Sequence, residues 1–99
     1  MNTVSIGNES IADPLMAGNG TVGTSEAPLS DPDFQVHKWI IVRADSGNGD
    51  DIIVGRPGNA ANGFILHAGE STPPMYVDNT SKIAIIGGAP AQAYSWLGQ

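Results

Sequence analysis

The chain contains no cysteine, which excludes a disulfide framework and a thiolate zinc site. Cations are nearly as scarce: four Lys and Arg stand against ten Asp and Glu, a formal net charge of −6. Lys38, Arg43, Arg56 and Lys82 are scattered singly, whereas phosphate recognition needs clustered cations, so neither nucleic acid nor an anionic membrane is an expected partner. No run approaches the roughly 18 apolar residues of a membrane-spanning helix. The opening Met1-Asn2-Thr3-Val4-Ser5 also lacks the basic-then-apolar order of a secretory signal. Aromatic residues make up only 6% and charged residues 14% of the chain, the latter well below the roughly 25% of an average globular domain. What is plentiful is Gly, with 13 residues, and Pro, with 7. Both oppose helix, Gly through its backbone freedom and Pro through its missing donor, and a helical bundle is excluded. At 99 residues there is room for one small domain.

The apolar pattern reads as strands. Val36-His37-Lys38-Trp39-Ile40-Ile41-Val42-Arg43 is β-branched with apolar residues on both parities, the pattern of a central strand covered on both faces. Asp45-Ser46-Gly47-Asn48-Gly49-Asp50 breaks it with turn chemistry. Further strands follow at Ile52-Ile53-Val54, Phe64-Ile65-Leu66, Met75-Tyr76-Val77, Lys82 to Ile86 and Ala91 to Leu97. Gly55 and Gly63 read as turn positions where glycine allows positive φ, and Ala68-Gly69-Glu70 as a tight corner. Short strands recurring every 8 to 12 residues or so between turn signals describe an all-β sandwich or barrel. Tyr94 and Trp96 share a parity in the last strand, which puts both aromatics on one face.

Residues 1–34 differ from the rest. They hold Glu9, Asp13, Glu26, Asp31 and Asp33 and no Lys or Arg, whereas residues 35–99 balance five acids against all four cations. Their apolar residues come in short pieces between Gly, Asn, Ser, Thr and Pro. Two readings follow: Val4-Ser5-Ile6 and Thr21-Val22 add edge strands to the sheet, or the segment is an extended acidic arm that orders on a partner. A body of residues 35–99 alone buries a lower fraction of its surface than a larger domain does, and oligomerisation or docking on a larger surface is the natural remedy when cysteine and metal are absent.

Catalytic and ligand motifs fare poorly. Gly18-Asn19-Gly20-Thr21-Val22-Gly23 spells G-x-G-x-x-G, but no helix can begin after it to receive a pyrophosphate, so it reads as a flexible glycine loop. Asp45 to Asp51 has the oxygen density of a calcium loop without the required spacing; it reads as a hairpin loop whose Asx side chains cap their own backbone. His37 and His67 lie thirty residues apart, and the sequence nominates no Asp or Glu as the third ligand that a metal site would need. No Ser occupies a nucleophile elbow. No cofactor, metal or catalytic residue is expected, and the chain is not expected to be an enzyme.

The order of motifs over residues 39–97 has a counterpart. A strand ending Val54-Gly55, the strand Ala61-Asn62-Gly63-Phe64-Ile65-Leu66, the turn Ala68-Gly69-Glu70-Ser71, the strand-leading Asp78-Asn79-Thr80-Ser81-Lys82-Ile83 and the closing Tyr94-Ser95-Trp96-Leu97 resemble small virion structural proteins of tailed bacteriophages. That resemblance implies a compact β-sandwich that decorates the capsid or belongs to head or tail structure.

The expectations are these. The fold is all-β, a small antiparallel β-sandwich, jelly-roll-like, over residues 35–99, with residues 1–34 an extended acidic arm that carries edge strands at most. The function is that of a capsid decoration (cement) protein. It binds the outer surface of an assembled head, contacts the major capsid protein and stabilises contacts between its subunits. It is expected as a homo-oligomer, dimer or trimer, made in the host cytoplasm and located on the virion. The alternative is a carbohydrate- or receptor-binding module of a head fibre or tail. Ile11, Leu15, Met16, Val22, Leu29 and Trp96 are the candidate residues for the partner interface.

Overall fold

A computed structural model describes residues 15–99. Seven strands form two antiparallel sheets: β1 (Met16–Val22), β2 (Ala27–Pro28), β3 (Ile40–Ala44), β4 (Ile52–Gly55), β5 (Phe64–Leu66), β6 (Ala84–Gly87) and β7 (Gln92–Gly98). One sheet has the order β1-β7-β3 and the other β2-β6-β4-β5. The small antiparallel sandwich expected from the turn spacing is therefore present. Its core is one cluster drawn from both sheets, with Val22, Val42, Tyr94 and Trp96 on one side and Ile52, Val54, Leu66 and Ile85 on the other. Inward residues alternate with outward ones in β7, where Gln92, Tyr94 and Trp96 are buried and Ser95 and Leu97 exposed, as the period of two requires.

The arm reading changes from Met16 onward. β1 pairs with β7 over its whole length, from Met16↔Gly98 to Val22↔Gln92, and β2 pairs with β6. Val22 and Leu29 are 3% and 1% exposed, and the Tyr94 hydroxyl donates to the Leu29 carbonyl at 2.8 Å in the interior. Residues 16–29 are thus structural members of the sandwich, in the form of its edge strands. Val4-Ser5-Ile6 lies outside the described residues.

The glycine-rich motif is a strand and not a loop. On β1, Gly18 and Gly20 stand opposite Trp96 and Tyr94. A Cβ on Gly18 would overlap the indole, and one on Gly20 would sit 2.9 Å from the Tyr94 oxygen. The missing side chains are the space into which two large rings fold. Gly55 and Gly63 also have a different reason from the one expected. Gly63 has φ −89°; a Cβ there would fall on the Val54 carbonyl, and a Cβ on Gly55 would lie 2.9 Å from Ala60 Cα. Positive φ occurs instead at Gly58 and Gly69, the latter in the expected tight corner.

β3 is not a central strand. β7 lies on one side of it, and on the other only the bridges Arg43↔Ser71 and Ile40↔Met75. Ile40, Val42 and Ala44 are buried, Ile41 is half-buried and Arg43 exposed, so one face is covered. The expected strand Met75-Tyr76-Val77 is reduced to the Met75 bridge because Pro73 and Pro74 supply no N–H to a ladder. Two threonines repair the edges. Thr72 N–H donates to the Val42 carbonyl at 2.8 Å while its hydroxyl accepts from Val42 N–H at 3.0 Å. Thr80 repeats the device with Phe34 at 2.9 and 2.8 Å. Asn48 does the same through its amide, which donates to and accepts from Ala93 at 2.8 Å. In each case a side-chain oxygen replaces a strand carbonyl, so the buried backbone remains paired.

Candidate functional site

Among the described residues the large apolar side chains left in solvent are Leu15, Phe34, Phe64, Ile65, Tyr76 and Leu97. Tyr76 is the extreme case at 82% exposed. Its position follows from the chain around it. Met75 N–H and C=O both bond to Ile40, and Val77 N–H donates to the Met75 carbonyl at 3.1 Å. That three-residue turn points Met75 and Val77 at the core, which they pack against, and projects Tyr76 outward.

Two adjoining depressions flank it. A cleft of about 420 Å³ is walled by Val54, Phe64, Met75, Val77 and Ile83, with Lys82 at its lip. A hollow of about 480 Å³ is lined by His37, Lys38, Tyr76, Val77, Asp78 and Lys82. They share Val77 and Lys82, so the two form one surface. Its chemistry is an exposed phenol ring, an apolar slot and two of the chain's four cations. Lys82 Nζ lies 3.0 Å from Asp78, and that bond and charge hold the Asp78 carboxyl below its ordinary range. Lys38 has no such carboxylate partner among the described residues.

A second exposed feature lies on the outer face of the four-stranded sheet. Ile53 stands opposite Ile65 on β5 and Ile86 on β6. Because Ile52, Val54, Leu66 and Ile85 point into the core, this isoleucine row lies on the outer face, with Ile65 exposed and Ile53 and Ile86 half-buried. Asp51 and His67 sit at its end, with His67 Nδ1 2.7 Å from Asp51 Oδ1. The hydrogen bond to Asp51, then the charges of Asp51 and Glu70, raise the His67 pKa above the usual imidazole value. Both groups are open to water. Sequence spacing offered no signal for this pair, since its members lie sixteen residues apart and meet only through strand register. Glu26 was likewise silent: its carboxylate accepts from Gly58 N–H at 2.7 Å and Ala60 N–H at 2.9 Å. These bonds clip the β1–β2 turn to the β4–β5 connection and lower its pKa.

Among the described residues, the sequence-derived interface candidates do not form one exposed patch. Leu15 is 60% exposed and Met16 is half-buried against the core. Val22, Leu29 and Trp96 are interior, none above 4% exposed, and belong to the chain's own core cluster. Ile11 lies outside the described residues. The expected Asx capping in the 45–51 loop is present, with Gly47 N–H on Asp45 at 2.9 Å and Asp51 N–H on Asp50 at 2.7 Å.

No family model, curated protein or solved structure matches this chain.

Proposed function

We propose that this chain is a bacteriophage capsid decoration protein that binds the outer surface of the assembled head through the Tyr76 surface and stabilises contacts between major capsid protein subunits. The resemblance over residues 39–97 supplies the family. The observation that carries the docking face is Tyr76, 82% exposed on a backbone pinned on both sides by Met75 and Val77. An aromatic anchor held rigidly beside an apolar slot has the composition of an interface hot spot, and the two lysines belong to a polar rim around it. Decoration then works by linkage: a ligand that binds the assembled lattice and not its separated subunits stabilises the lattice. Presentation as a homo-oligomer multiplies weak contacts through effective concentration. The chain performs this role without catalysis, cofactor or metal, and it acts on the virion after synthesis in the host cytoplasm.

Co-sedimentation with undecorated heads of the encoding phage tests the reading. Wild-type chain should pellet with heads, and Tyr76→Ala should weaken that binding by about 2 kcal/mol or more, as expected for a hot spot. Unchanged binding by a folded Tyr76→Ala chain would remove this surface from the docking face. A second reading, a glycan- or receptor-binding module of a fibre or tail, draws on the polar groups His37, Lys38 and Asp78 around the same ring. Binding of the chain to host-cell glycans, and not to heads, would favour it.

A further inference from the structure

β5 forms the outer edge of the four-stranded sheet, hydrogen-bonded to β4 alone. Such edges invite another strand and are commonly protected by charge, proline or a bulge. This one carries no charge, proline or bulge and is limited only by its length of three residues, Phe-Ile-Leu, with Phe64 56% and Ile65 55% exposed. No strand of the four-stranded sheet contains a charged residue.

The direction of the free backbone groups follows from the register. Gly88 N–H donates to the Asp51 carbonyl at 2.9 Å, so Asp51 turns its polar groups toward β6. Polar groups alternate sides along an antiparallel strand; Ile53 therefore also faces β6, while Ile52 and Val54 face β5. Their partners Leu66 and Phe64 use their backbone groups inside the sheet. Ile65, between them, directs its N–H and C=O off the free edge, where no described residue meets them. The next positions of that parity are already occupied within the chain. Gly63 N–H bonds to the Ala60 carbonyl at 2.9 Å, and His67 N–H bonds to Glu70 Oε1 at 2.9 Å.

We infer that two copies of this chain pair edge to edge through β5, antiparallel about a two-fold axis at Ile65. The geometry is self-complementary: Ile65 of each copy exchanges both backbone bonds with Ile65 of the other, the arrangement an isologous contact requires. The same pairing sets Phe64 beside Leu66 of the second copy, twice, and so covers both exposed apolar residues of the edge. On the outer face it joins two isoleucine rows, Ile86-Ile53-Ile65 and its symmetry mate, into one. Charge favours a second copy here as well. A chain of net charge −6 meets itself with least repulsion across a sheet whose strands are uncharged. The occupied amides of Gly63 and His67 restrict pairing to one register and keep the edge from extending further. This inference rests on the fold and register alone and is independent of the docking role of Tyr76.

Sedimentation velocity over a concentration series, combined with amide exchange, tests it. Wild-type chain should shift from monomer to dimer with rising concentration. Over the same range, exchange of the Ile65 amide should slow in proportion to the dimer fraction. Ile65→Lys places two ammonium groups opposite each other at the axis and should give a folded monomer. Ile86→Lys, at the far end of the row, should still dimerise. A chain that stays monomeric, a dimer in which the Ile65 amide exchanges at the monomer rate, or a folded Ile65→Lys chain that still dimerises would each overturn the pairing. The wild-type exchange readout decides the matter even if Ile65→Lys fails to fold.

Discussion

Gly18 of β1 and Trp96 of β7 face each other across the three-stranded sheet, and the indole edge occupies the place where a Cβ on residue 18 would stand. The nearest indole carbon would be 2.8 Å from that Cβ, well inside ordinary contact. The ring is rigid and only 4% exposed, so it has nowhere to swing. Gly18→Ala should therefore act as an overpacking substitution and destabilise the chain by about 1–3 kcal/mol. Urea unfolding checks this. A neutral Gly18→Ala would mean that the ring does not rest on β1.

Shortening the chain tests which residues the sandwich needs. A chain starting at Phe34 loses β1, β2 and the buried side chains of Val22 and Leu29. Burial of each such side chain contributes about 1.5–3 kcal/mol, and total stabilities are only about 5–15 kcal/mol. The shortened chain should lack a cooperative thermal transition by circular dichroism. A cooperative melt close to that of the full chain would return residues 16–33 to the status of an arm.

Thr80 is fully buried, and its hydroxyl accepts from Phe34 N–H and pairs with Ser30 Oγ, both at 2.8 Å. Thr80→Val keeps the shape but strands those partners, and an unsatisfied donor costs about 1–3 kcal/mol. Thr80→Ser, which keeps the oxygen, should recover part of that loss. Equal stability for the wild type and Thr80→Val, by denaturant titration, would show the bond to be dispensable.

Two exposed groups give opposite pH dependences. The Glu26 pKa is lowered on folding, so its contribution is present above the ordinary carboxylate pKa and is lost as pH falls through the folded value. The His67 pKa is raised, so its contribution is complete below the ordinary imidazole pKa and is lost as pH rises through the folded value. Asp51→Asn should bring the His67 titration, followed by NMR, back toward the ordinary value. Glu26→Gln should flatten the acid limb of melting temperature against pH. An unmoved His67 titration in Asp51→Asn would contradict the pairing.

The fold was legible where periodicity and turn chemistry act locally. Ile52-Ile53-Val54, Phe64-Ile65-Leu66 and the shared face of Tyr94 and Trp96 all follow from alternation between turn signals. What was hidden depended on partners distant in sequence. Gly18 and Gly20 read as loop residues because glycine is read locally as flexibility, and the rings that need their space lie more than seventy residues away. Thr72, Thr80 and Asn48 complete ladders with side-chain oxygens, which no strand pattern registers. Val36 to Arg43 carries apolar residues on both parities and so reads as central, yet β3 ends at an edge lined by the proline-interrupted 71–75 segment. The exposed surface was the least legible part. Tyr76 stands out only once Met75 and Val77 are seen to be held against the core, and the isoleucine row only once three strands are in register.

The measurement closest to the central proposal is the abundance and position of this chain in purified virions, by quantitative mass spectrometry with cryo-electron microscopy of the same particles. A decoration protein is present in a fixed ratio to the major capsid protein and lies on the outer head surface with Tyr76 against the capsid. A few copies per particle, confined to tail or fibre, or complete absence from the virion, would contradict it.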